Sequence, residues 1–184
     1  MIAPASRERF LPRCPFCRQT ASPAMDMSRG KCGTIRVEQM RKGMTRVENP
    51  SREEIKEILE TKRRIAVVGL SDNPERTSHQ VAKAMQEAGY EIIPVNPRIK
   101  EALGVQAVGS LKEIEGHVDI VNVFRRSEFL PEIAREAVEI GADVLWAQLG
   151  VVNEEAYQYA KSHGMTVIMD RCIKVEHAIL IGKR

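Results

Sequence analysis

The densest run of residues able to hold an anion is Gly69-Leu70-Ser71-Asp72-Asn73-Pro74-Glu75-Arg76-Thr77-Ser78. It follows an apolar stretch, Arg64-Ile65-Ala66-Val67-Val68, and precedes a helical pattern. Gly69 lets the backbone approach a ligand, Ser71 and Ser78 bring hydroxyls, and Arg76 brings a charged fork. A helix beginning near Ser78 adds unpaired N–H groups and the positive end of its dipole, which together make a phosphate site. A plainer account is an N-cap at Ser78 with a turn at Asn73-Pro74. It explains Ser78 but leaves Ser71 and Arg76 without a role.

A second apolar run ends at Val95-Asn96-Pro97-Arg98. A dinucleotide-binding unit would carry the GxGxxG fingerprint after the first strand and an acidic residue here for the ribose. Both are missing, so ordinary NAD binding is disfavoured. Arg98 instead puts positive charge where a ribose phosphate would sit, although a solvated loop residue is nearly as good a reading.

Cys14-Pro15-Phe16-Cys17 followed by Cys32 has the look of part of a zinc ribbon, since thiolates two residues apart can grip one face of a tetrahedral ion. A fourth ligand is missing, because the four histidines all lie beyond residue 78. An incidental pair is the preferred reading, and no metal is assigned. Cys172 follows Asp170-Arg171 and suggests nucleophilic chemistry or a mixed disulfide, with helix capping around Asp170 as the blander account. His79 and His177 fall nearest the expected cleft, and roles at helix ends suffice for both.

These side chains are positioned by an alternating pattern. Ser51-Arg52-Glu53-Glu54 is a capping box, and Ile55, Ile58 and Leu59 continue it at helical spacing as a short lead-in helix. Strands are expected at 64–68, 91–95, 118–124, 143–147 and 165–169, and helices at 78–88, 131–140 and 154–163. Residues 104–108 supply a further short edge strand, with a helical turn at 111–114. Gly89, Gly141 and Gly164 punctuate the helix ends. Continuous apolar strands between amphipathic helices predict a Rossmann-like α/β fold: a doubly wound, mostly parallel sheet of five to six strands, helices on both faces. Ligands of such sheets bind at the carboxyl ends of the strands.

The 184 residues suffice for one domain with an extension, and a hydrophobic fraction of 43% with only 4% aromatics suits an interior of Val, Ile, Leu and Ala. Residues 1–50 hold ten Lys/Arg against four Asp/Glu, the remainder eighteen against twenty-one. Residues 1–49 therefore read as a basic arm without persistent structure, and 50–184 as the folded domain. Lacking aromatics among its basic residues, the arm is not read as binding nucleic acid. Met40 and Met44 stand just before the ordered pattern, so translation from either would omit most of the arm. No run is long and apolar enough to cross a bilayer, and a cytoplasmic location without membrane contact is expected.

The folded part resembles the stand-alone CoA-binding domain proteins, relatives of the nucleotide-binding N-terminal domain of the succinyl-CoA synthetase α subunit. The resemblance runs from Ile65 to about Leu180. It passes through Gly69-Leu70-Ser71 with Pro74, Arg76 and Ser78, then Pro94-Val95-Asn96-Pro97 and Asp119-Ile120-Val121-Asn122-Val123-Phe124-Arg125-Arg126. It continues in Trp146-Ala147-Gln148-Leu149-Gly150-Val151 and Met169-Asp170-Arg171-Cys172-Ile173-Lys174-Val175-Glu176-His177. It implies coenzyme A or an acyl-CoA as ligand, with the pyrophosphate on the loop from Gly69 to Ser78. Asn96, Pro97 and Arg98 would lie by the adenosine and its 3′-phosphate. Phe124, Arg125 and Arg126 would flank the nucleotide, although Arg126 also reads as a solvent-facing residue. Gly150 would border the pantetheine arm, whereas Trp146 reads as a core residue.

A binding, carrier or sensor module without catalytic residues of its own is the leading function. Two alternatives are a component of an acyl-CoA synthetase or ligase and a nucleotide-dependent oxidoreductase. A second copy or another protein is left open as a partner.

Overall fold

A computed structural model of the chain describes residues 47–182. The three cysteines Cys14, Cys17 and Cys32 lie outside them. Helix α1 (Arg52–Thr61) leads into β1 (Arg64–Val68), α2 (Thr77–Glu87) and β2 (Glu91–Val95). A two-residue hairpin, β3 (Glu101–Ala102) and β4 (Val105–Gln106), precedes β5 (Ile120–Val123) and α3 (Leu130–Glu139). Strand β6 (Val144–Ala147), α4 (Glu154–Ser162), β7 (Thr166–Ile168) and α5 (Ile173–Leu180) complete the order.

The main sheet is parallel throughout, in the order β2-β1-β5-β6-β7. The chain thus starts in the middle, runs outward through β2, then crosses back over β1 to build the other half. The reversal falls between β1 and β5, the place where a ligand crevice opens in such sheets. The Rossmann-like expectation holds.

Alternation along the strands divides the core between two faces. Ile65, Val67, Ile120, Val144 and Trp146 meet Ile55 and Leu59 of α1, Val81 and Met85 of α2, and Ile173 of α5. Ala66, Val68, Val121, Val123 and Leu145 meet Ala134 and Ala137 of α3 and Ala156, Tyr157 and Ala160 of α4. Helix α1 is more than a lead-in, since Ile55 and Leu59 are fully buried and its capping box at Ser51 forms as expected.

Residues 104–108 do not form the single edge strand expected of them. The polypeptide turns back on itself as the β3–β4 hairpin, and Val108 alone bridges to Val95 in parallel. Pro94 fits this edge, because a proline has no N–H for a ladder and belongs where a strand has one free side. The chain also begins packing earlier than residue 50. The Asn49 side-chain amide donates to Met169 O (2.9 Å) and accepts from Met169 N (2.8 Å), while Tyr157 donates its hydroxyl to Glu48 O (3.0 Å).

Candidate functional site

The carboxyl end of β1 breaks at Gly69, whose φ of +84° is a conformation that side chains resist. A Cβ there would meet the Arg125 side chain at 3.4 Å, an ordinary contact, so it is the backbone angle that calls for glycine while the loop after β5 lies directly over it. Gly69 N–H donates to Val95 O (2.9 Å) and Phe124 N–H to Val68 O (2.9 Å), which draws the ends of β2, β1 and β5 together.

The loop after β1 is held by its own polar side chains. Ser71 N–H donates to Ser78 Oγ (3.2 Å), Asn73 N–H to Ser71 Oγ (3.2 Å) and Glu75 N–H to Asn73 Oδ1 (2.9 Å). Asn96 reaches back from the end of β2, its amide donating to Leu70 O (2.8 Å) while its oxygen accepts from Arg98 N–H (3.1 Å). Asn96 therefore joins the second loop to the first.

Helix α2 begins at Thr77, not Ser78, and the cap position falls to Arg76. Ser78 sits in the first turn and anchors Ser71, because the chain enters the helix one residue earlier than its hydroxyl pattern suggests. No side chain caps α2 and no acid stands in its first turn. By contrast Ser51 caps α1 and Asn153 caps α4, each with two glutamates following. The N–H groups and positive dipole end of α2 thus remain available to an anion. Arg76 and Arg98 are exposed beside it, in company with the acidic Asp72 and Glu75.

After β5, Phe124 is half-buried against the core and Arg125 lies over Gly69. Arg125 and Arg126 both stand over the Phe129 ring, at 5.9 and 5.7 Å from its centroid, and Arg126 pairs with Glu128 at the surface (3.3 Å). Three of the expected segments, 69–78, 96–98 and 124–126, are thus brought together at the carboxyl ends of β1, β2 and β5. Gly150 lies two strands along. Its N–H donates to Asp170 Oδ1 (2.7 Å), so it belongs to the joined loops after β6 and β7.

The residues Asn122 and Gln148 carry a feature the sequence reading passed over. Gln148 donates its amide to Asn122 Oδ1 (2.7 Å), both residues buried at the carboxyl ends of β5 and β6. The signal was there: Asn122 is a polar residue inside Ile120-Val121-Asn122-Val123, where an apolar one would pack without needing a partner. Trp146 is core as expected, fully buried, its indole N–H on Arg171 O (2.7 Å).

Capping around Asp170 does not occur. Asp170 takes φ +56° and holds Gly150, while Cys172, free and half-buried, occupies the cap position of α5 without a capping side chain. His177 is not in the crevice either. It meets the Tyr90 ring edge-on (5.6 Å), lining a cavity of about 630 Å³ with Leu59, Arg63, Lys174 and Ile181 near the start of β2.

A family profile described as a CoA binding domain matches residues 63–178, spanning every segment of this crevice. The chain belongs to that family. Within the CoA-binding domain family it is 70% identical over 133 residues to the uncharacterized protein YneT of Bacillus subtilis (strain 168), covering 72% of this chain and 98% of YneT. It is 32% identical over 124 residues to the alpha subunit of acetate–CoA ligase [ADP-forming] II of Pyrococcus furiosus, covering 61% of this chain but only 27% of that subunit. A solved structure of a hypothetical protein from Pyrococcus horikoshii OT3 superposes with a TM-score of 0.71 at 34% identity, over 76% of this chain and all of that one. No helix among the described residues is long and apolar enough to cross a membrane.

Proposed function

We propose that this CoA-binding domain holds coenzyme A or an acyl-CoA across the crevice where the strand order reverses, as a binding, carrier or sensor module. The observation that carries the reading is the convergence of the loops after β1, β2 and β5 on the open N-terminus of α2. The pyrophosphate takes the loop from Gly69 to Ser78, where N–H groups and Arg76 meet its charge. Asn96, Pro97 and Arg98 face the adenosine and its 3′-phosphate, and Phe124, Arg125 and Arg126 flank the nucleotide. Gly150 borders the pantetheine arm. Glycine at 69 supports this fit, since its φ of +84° turns the chain sharply at the end of β1.

Ligase chemistry is a property of the Pyrococcus subunit, of which this chain spans about a quarter. The test is release of bound small molecules from the purified protein by heat, identified by mass spectrometry, followed by calorimetric titration with coenzyme A. Saturable binding of coenzyme A, with NAD failing to compete, is the expected result. Indifference to coenzyme A would remove the reading.

A further inference from the structure

We infer that the small cavity between the ends of β6 and β7 and the start of α5 seats the acyl group of a short, uncharged acyl thioester of coenzyme A. This rests on the coenzyme A reading and sharpens it, because free coenzyme A would leave the cavity unfilled.

The cavity measures about 370 Å³ and is lined by Leu149, Cys172 and Val175 on its apolar side and by Asn49, Asp170, Arg171 and Glu176 on its polar side. Leu149 is 66% exposed and Val175 49%. Single exposed apolar side chains are ordinary, but these two come from different elements and border one hollow. Cys172 behaves beside them as a small apolar group.

Glu176 stands on the polar side. The residue is only 6% exposed, and Arg171 Nη1 donates to its Oε1 (2.7 Å). Its Oε2 and the Arg171 Nε are buried without hydrogen-bond partners. The pair is thus turned inward on itself, and Leu149 and Val175 are the side chains left exposed to an alkyl group.

Distance and charge narrow the ligand. Neighbouring strands stand roughly 4.8 Å apart, so the end of β6 lies about 10 Å and the end of β7 about 14 Å from the end of β1. An extended pantetheine arm leaving a pyrophosphate at Gly69 reaches that far and delivers its sulfur to the cavity mouth. Among the lining residues one arginine faces two carboxylates, and that arginine is already paired. A terminal carboxylate on the acyl group finds no free cation there, so an alkyl acyl group is favoured over a dicarboxylic one.

The full-length protein would be titrated with coenzyme A, acetyl-CoA, butyryl-CoA and succinyl-CoA, and the series repeated with the double variant Leu149→Ser/Val175→Ser. Each methylene seated should tighten binding by about fourfold. Butyryl-CoA, two methylenes longer, should therefore exceed acetyl-CoA by roughly fifteenfold, with succinyl-CoA falling below butyryl-CoA. In the variant, coenzyme A affinity should stay within about twofold of the parent while the chain-length gradient disappears. Both side chains are exposed, so thermal unfolding without ligand should match the parent and exclude a folding defect. A flat gradient in the parent, or one that survives in the variant, overturns the acyl site while leaving coenzyme A binding standing. Failure of coenzyme A itself to bind would remove the broader reading and this assignment with it.

Discussion

Arg76 stands at the cap position of α2 but uses its backbone, not its side chain, to begin the helix. Its guanidinium is exposed, so removing it should leave the folded state nearly unchanged, within roughly 0.5 kcal/mol. Charge-assisted hydrogen bonds contribute about 1.5–3 kcal/mol each, so Arg76→Ala should weaken coenzyme A binding by about ten- to a hundredfold in calorimetry. Arg52→Ala, on the exposed face of α1, is the control and should bind as the parent does. If both variants bind equally, the first loop is not the phosphate site. Arg98 makes the companion prediction. Set after β2 by the Asn96 turn, it should recognise the 3′-phosphate, so dephospho-CoA should bind more weakly than coenzyme A, and Arg98→Ala should erase that difference. At this scale the sequence disclosed residue types well and partners poorly. Ser78 and Asp170 were visible as polar groups near helix starts, but their hydrogen bonds run to Ser71 and Gly150, seven and twenty residues away, and helical spacing carries no such information.

Elements were legible in proportion to how far local pattern decides them. The apolar runs of β1 and β2 end where they were expected to, because charge at Arg64 and Glu91 and turn residues at Gly69 and Asn96 bracket them. The hairpin at β3 and β4 was misread since its strands are two residues long, too short for alternation to show. Nor could spacing disclose what braces α1 against the amino end of the sheet. Lys62, just past that helix, donates to Asp143 Oδ2 (2.7 Å), which also meets His117 Nε2 (2.9 Å). Burial pushes the Asp143 carboxyl up, but hydrogen bonds from Lys62 and His117 outweigh it and hold the group below its ordinary 3.8. A carboxyl depressed on folding stabilises the protein in full above its unfolded value and loses that contribution as pH falls through the folded one. Asp143→Asn should therefore be less stable than the parent at neutral pH, with the gap in urea midpoint closing as pH falls below 3.8. A gap that stays constant with pH would show that the brace acts through shape and not through charge.

For the whole chain, the change in texture near residue 50 suggested a boundary there, and among the described residues packing on the core already begins at Val47. Strand β7 ends the sheet, paired to β6 on one side. Beyond it the Asn49 amide takes both the N–H and the C=O of Met169, Val47 packs on the core, and Glu48 O receives the Tyr157 hydroxyl. An asparagine pairing with residue 169 leaves no trace in local sequence. Two truncations separate the basic arm from this clasp. Removing residues 1–44 should leave both unfolding and coenzyme A affinity as in the full chain, because that segment carries no periodic apolar face able to add to a core. Removing residues 1–50 takes away the clasp as well, leaves two backbone groups of Met169 without their partner and costs the Tyr157 hydroxyl its acceptor while it still accepts from Lys161. Each lost partner costs about 1–3 kcal/mol, so the shorter protein should unfold several kcal/mol more readily in urea. Asn49→Ala in the full chain should reproduce part of that loss, about 1–3 kcal/mol, since it removes both hydrogen bonds to Met169 and little else. Affinity for coenzyme A itself should hardly change in that variant, because Asn49 borders only the cavity assigned to the acyl group, at the opposite edge of the sheet from β2. Equal stability of the two truncations would mean that residues 47–50 only rest on the domain. A large loss already on removing residues 1–44, or zinc released with them, would instead give the cysteines Cys14, Cys17 and Cys32 a structural role.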